Sequence, residues 1–113
     1  LDTIFEYTEL AQSRPSGTSA VSVFNPTALA FIDTLIVANV GSSTAKFSIY
    51  LDKDGTTYSE ATALYFQNSL HSGTTLEFHF EKGIPITKSG NLAVQTDTAN
   101  AITFSVYGRN RIA

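Results

Sequence analysis

The sequence contains no cysteine and no methionine. Without cysteine, no disulfide can staple the fold, no thiolate can ligate zinc, and the redox compartment stays open. A translated chain starts with methionine and this one starts at Leu1, so at least one residue is expected to be missing from its front. Charge is scarce as well, at 15% of residues against the roughly 25% usual in soluble domains. The net charge of −3 excludes the broad basic face of a general nucleic-acid binder. No apolar run approaches the roughly 18 residues that span a bilayer, and no charged-then-apolar leader opens the chain. Neither a membrane nor a nucleic acid is therefore expected as a partner. No segment shows the 3.6-residue period of a solid helix.

What is present is alternation with a period of two, the mark of half-buried strands. In "AKFSIYLD", Ala45, Phe47, Ile49 and Leu51 fall on one side, and Lys46, Ser48, Tyr50 and Asp52 on the other. "LEFHFE" sets Leu76, Phe78 and Phe80 against Glu77, His79 and Glu81. "ITFSVYGR" sets Ile102, Phe104 and Val106 against Thr103, Ser105 and Tyr107, and "NLAVQT" turns Leu92 and Val94 inward. "IDTLIVANV", residues 32–40, is apolar on both faces at its centre, which predicts a central strand covered on both sides. The facing sheet supplies one cover; a neighbouring subunit or the N-terminal segment supplies the other. "SEATALYFQNSL" has room for one helical turn, but Tyr65 and Phe66 favour strand.

Turn chemistry breaks these runs at "VGSS" (40–43), "DKDG" (52–55), "HSG" (71–73), "EKG" (81–83), "KSGN" (88–91) and "DTAN" (97–100). Breaks at such spacing, in a chain of 113 residues, suit one domain built from short strands. The expected fold is all-β: an antiparallel β-sandwich, an eight-stranded jelly roll. Residues 1–17 read as an N-terminal arm or an edge strand, and residues 18–113 as the sandwich domain. "TIFEYTEL" alternates weakly, "AQSRPSG" is a loop, and "SAVSVFNP" is a short strand ending at Pro26.

Candidate chemistry is thin. In "YLDKDGTTYSE", Asp52, Asp54, Gly55 and Glu60 invite a calcium reading, but an EF-hand loop places its glycine sixth and its bidentate Glu twelfth. Here they come fourth and ninth from Asp52, and Asp-rich turns hold themselves by local backbone hydrogen bonds. A turn is expected, and no metal. His71 and His79 are the sequence's two histidines, too few for a zinc site, and His79 suits a cross-strand surface pair. No G-x-S-x-G and no glycine-rich phosphate loop occurs. Glu77 and Glu81 share a strand face about 13 Å apart, wider than the usual glycosidase pair. No enzyme activity and no cofactor are expected.

The order of segments resembles that of small virion proteins of tailed bacteriophages. The likeness lies in "IDTLIVANVGSSTAKFSIYLDKDG", then "ALYFQNSLHSGTTLEF", then "EKGIPITKSGNLAVQTDTANAITFSVYG", roughly residues 30–108. "EKG" departs from it, since a Gly-Asp turn is more usual there. The resemblance implies a structural β-sandwich located in the virion. Such proteins either serve as decoration or cement proteins, clamped as homotrimers on the major capsid protein, or sit in the tail or fibre. It carries no catalytic residues.

Residues expected at a partner interface are Phe5, Tyr7, Tyr50, Tyr65, Tyr107, Arg109 and Arg111. Tyr50, Tyr58, Tyr65 and Tyr107 point away from the main apolar face or lie in loops. They either anchor a subunit interface, stack on sugar rings, or are scattered single aromatics. A carbohydrate- or receptor-binding module of a tail or fibre is the alternative function, with carbohydrate as partner. Arg109 and Arg111 share a face, where they either pair with acidic groups of a partner shell or solubilise the terminus.

Overall fold

A computed structural model describes residues 4–111; residues 1–3 of the first segment and 112–113 of the second lie outside that range. Among the described residues the strands are β1 (Phe5–Ser13), β2 (Val21–Phe24), β3 (Ala30–Asn39), β4 (Ala45–Asp52), β5 (Ala63–Leu70), β6 (Thr75–Ile86), β7 (Asn91–Thr96) and β8 (Ile102–Arg111). A single 3-10 turn, Glu60–Thr62, precedes β5 and is capped by Ser59. The helical and strand tendencies of "SEATALYFQNSL" are thus realised one after the other.

Two antiparallel four-stranded sheets result, in the orders β1-β8-β3-β6 and β2-β7-β4-β5. The ladders β1·β8, β2·β7, β3·β6 and β4·β5 nest within one another, as in a chain folded in half at the β4–β5 loop. The ladders β8·β3 and β7·β4 then roll that ribbon into two layers. This is the jelly roll. Every connection except β4–β5 passes from one sheet to the other.

The core fills the space between the layers. Ile32, Leu35, Val37, Phe104 and Val106 of the first sheet face Phe47, Ile49, Leu92 and Val94 of the second, all buried. Phe47 and Phe104 meet across it edge-on, with ring centroids 6.2 Å apart. Asn39 ends β3 inside the protein: its Nδ2 donates to the carbonyls of Ser43 and Leu70, and its Oδ1 accepts from the Gly41 N–H. One buried amide thus ties the "VGSS" turn and the end of β5 to the end of β3.

Four expectations are corrected. "EKG" does not end a strand: residues 80–83 form a bulge inside β6, because Ile32 pairs with Ile84 while Thr34 pairs with His79. Leu76, expected inside, is 37% exposed: it lies one residue from the start of β6, which is paired on one side only, whereas Phe78 and Phe80 further along the strand do pack against the core. Ser48, Tyr50 and Asp52, expected outside, are buried. The loop after β4 covers two of them, with Tyr58 against Tyr50 at 6.3 Å between centroids and the Thr57 N–H on Asp52, while the Ser48 hydroxyl is held by the Gln67 N–H of β5. Finally, β1 lies beside β8 at the sheet edge and meets the outer face of β3 at Phe31, through Phe5; Ile36 and Ala38 further along β3 stay half-buried.

Candidate interaction surfaces

Local sequence decides which face each candidate residue takes. In β1, Phe5 and Tyr7 are two apart and share a face; in β8, Tyr107, Arg109 and Arg111 do likewise. The ladder places Phe5 opposite Arg111, Tyr7 opposite Arg109, and Glu9 opposite Tyr107. Five of the seven candidates therefore converge on the outer face of the first sheet. Phe31 of β3 lies opposite Arg109 on the other side and extends the row.

The row is partly built into the protein. Phe5 packs edge-on against Phe31 with centroids 5.5 Å apart. The Arg109 guanidinium sits 4.6 Å from the centre of the Phe31 ring, a cation–π contact. It also donates to both oxygens of Asp33 and to the Lys82 carbonyl. Asp33 raises the Arg109 pKa above its usual value by accepting those bonds. The expectation that Arg109 seeks an outside acid, or only solubilises the terminus, is corrected: its acid is within the chain. Tyr7 is 63% exposed beside this cluster.

Tyr50 and Tyr65 belong elsewhere. Tyr50 is 2% exposed and donates its hydroxyl to Gln95 Oε1 at 2.7 Å, so it presents no stacking face. Tyr65 turns toward the core and lies against Phe78 with centroids 4.0 Å apart; burial pushes its hydroxyl pKa up. Alternation within β4 and β5 does not reveal this, because β5 slips register against β4 twice.

The "DKDG" segment is a turn held by its first residue. Asp52 Oδ2 accepts from the Thr57 N–H at 2.7 Å and Oδ1 from the Asp54 N–H at 3.2 Å. Those two bonds, Thr57 first, hold the Asp52 pKa below its ordinary value. His79 pairs across the ladder with Thr34, at 3.3 Å, and lies 3.3 Å from Glu77. His71 Nδ1 lies 3.1 Å from the Thr44 hydroxyl. Among the described residues no three His, Asp or Glu side chains gather as a metal site, and no helix is long and apolar enough to cross a membrane.

A second surface was not foreseen. On the outer face of the second sheet an open groove of about 440 Å³ is lined by Thr18, Lys46, Ser48, Gln67, Gln95, Thr96 and Asp97. It exists because two residues of β5 stand where β4 offers Ser48 alone. Gln67 takes a left-handed backbone, φ 52°, and donates its N–H to the Ser48 hydroxyl at 2.9 Å. No period in the sequence marks that bulge.

No family model matches the chain, and no curated protein does. Among solved structures, a chain of the T13 IBDV viral particle matches with a TM-score of 0.53 and 13% identity, over 97% of this chain and 31% of that one. A chain of the infectious bursal disease virus Gx strain matches at 0.49 and 14%, over 99% and 38%. The Tobacco streak virus coat protein dimer matches at 0.41 and 10%, over 98% and 87%. The fold is of the kind found in viral capsids. This chain spans about a third of the length of the first two chains it matches.

Proposed function

We propose that this protein is a structural component of a virus particle that acts by contact with copies of itself and with a larger shell. The observation that carries this reading is the row Phe5, Tyr7, Phe31 and Tyr107 on the outer face of the first sheet. Tyr7 is exposed and the other three are half-buried, on a layer whose other side already packs the core. Tyr and Arg dominate the centres of protein interfaces. The half-buried outer residues Ile36 and Ala38 of β3 continue the same face. A fold of the capsid kind over 97% of the chain supports the same reading.

Its narrower form is a decoration or cement protein of a tailed bacteriophage, a homotrimer bridging subunits of the major capsid protein. Its support is the sequence resemblance over residues 30–108. Each copy would hold both its sisters and the shell, so that weak contacts add through effective concentration. The reading assigns no catalysis and no cofactor. The tail- or fibre-module alternative loses Tyr50 as a sugar-stacking ring, since that ring is buried.

The test is the mass of the protein in solution by light scattering, together with mass spectrometry of purified particles. A trimer that is also present in the particles supports the narrower form. A monomer at all concentrations that is absent from particles overturns the whole reading.

A further inference from the structure

We propose that the groove on the outer face of the second sheet is a binding site for a neutral saccharide. This goes beyond the structural role and does not depend on it.

The floor is pre-set. Gln95 has both ends of its amide occupied: Oε1 accepts from the Tyr50 hydroxyl, and Nε2 donates to the Thr18 carbonyl at 3.1 Å. Ser48 is held by the Gln67 N–H. Asp97 Oδ1 accepts from the Lys46 N–H at 2.8 Å and from the Thr98 hydroxyl at 3.0 Å. Those bonds hold the walls. Besides the Thr18 hydroxyl, they leave the Lys46 ammonium, the Gln67 side-chain amide and Asp97 Oδ2 at the groove without a partner among the described residues.

Those three select a class of ligand. Every lining side chain carries a polar group and none is aromatic or wholly apolar, so the site favours a ligand that brings hydrogen-bonding groups as well as the carbon surface that the Lys46 and Gln67 stems can meet. An anion meets Asp97 and a cation meets Lys46, so neither gains from the site as a whole. A sugar hydroxyl both donates and accepts. Vicinal hydroxyls can therefore accept from Lys46, donate to Asp97 and do both with Gln67. The volume of about 440 Å³ lies in the range of small-molecule sites. With no ring to stack on, affinity rests on hydrogen bonds exchanged with water, and it is expected in the millimolar range.

The test is a two-dimensional amide NMR titration of the labelled chain with lactose, maltose and chitobiose, and with sialyllactose as the anionic comparison. The expected result is a saturating shift of the amides of Lys46, Gln67, Thr96 and Asp97 with at least one neutral sugar. Lys46→Ala and Gln67→Gly should each weaken it at least several-fold while the rest of the spectrum stays folded. Glycine accepts the left-handed backbone at position 67, so that variant removes the amide without adding strain. The proposal is overturned by any of four results: no shift with any of the four sugars, shifts confined to another face, shifts that survive both substitutions, or binding of sialyllactose alone.

Discussion

Asp33 and Arg109 lie 76 residues apart in the sequence, yet the guanidinium of one grips the carboxylate of the other with two hydrogen bonds of 3.0 Å each. Asp33 is the extra residue of a bulge in β3, skipped by the ladders on both its sides. The fork of the arginine holds that residue's carboxylate and the Lys82 carbonyl together, over the Phe31 ring. Arg109→Ala should lower the urea midpoint of unfolding, and Arg109→Lys should recover only part of the loss, since an ammonium restores the charge but not the fork. Equal stability of all three proteins would show that the pair contributes nothing.

The bulge opposite that pair needs a glycine. Gly83 has φ +76°, and a Cβ there would stand 2.7 Å from Arg109 Nη2 and 2.8 Å from Asp33 Oδ1. Gly83→Ala should therefore cost about 1–3 kcal/mol, from the left-handed backbone and the displaced ion pair together. Chemical denaturation measures it. In the double variant with Arg109→Ala, the clash with Nη2 is gone, so the two losses should add to less than their sum.

Tyr50 tests the roof over the second sheet. Tyr50→Phe keeps the ring and removes the hydroxyl that Gln95 accepts from. A loss of about 1 kcal/mol is expected, the usual net worth of such a bond with some cost for the orphaned acceptor. A fully exposed Tyr50 would show no loss, and its ring would be open to solvent quenchers of tyrosine fluorescence.

Asp52 gives the fold an acid limb. Its folded-state pKa lies below the ordinary 3.8 because the Thr57 and Asp54 N–H groups bond the charged form. A depressed carboxyl contributes stability that is fully present above the unfolded-state pKa and is lost as pH falls through the folded-state value. Asp52→Asn should thus be less stable than the parent by a constant gap from neutrality down to about pH 5, and the gap should close at lower pH. Urea midpoints across that range read it directly. A gap independent of pH would mean that charge plays no part in the turn.

Tyr7 separates folding from assembly. At 63% exposure it contributes little to the fold, so Tyr7→Ser should move stability by no more than about 0.5 kcal/mol. On the proposed function it should still weaken self-association by at least an order of magnitude in sedimentation equilibrium. A change in stability with unaltered association would place the interface elsewhere.

The inward residues Phe47, Ile49, Leu92, Val94, Ile102, Phe104 and Val106 were readable from alternation alone, and all seven are buried. So was the "DKDG" turn, because an aspartate that bonds its own backbone acts locally. The central position of β3 was readable from its continuous apolar run. The convergence of Phe5, Tyr7, Tyr107 and Arg109 needed the β1·β8 ladder, which joins opposite ends of the chain. The burial of Tyr50 and the polar groove needed a loop to fold over one face and a strand to slip register. Neither event leaves a period in the residues.

The sequence by itself determined that the chain forms pleated strands, where most of them break, and which side of most of them faces the core. Those properties come from the two-residue repeat of an extended backbone and from glycine and aspartate at turns, which act over a few neighbouring residues. Only the tertiary structure decided which strands lie side by side, which polar side chains are roofed over, and that Arg109 has its acid within the chain. Six of the seven strand-to-strand connections leave one sheet for the other, so each strand's neighbours are set by how the two layers roll together and not by its nearest residues along the chain.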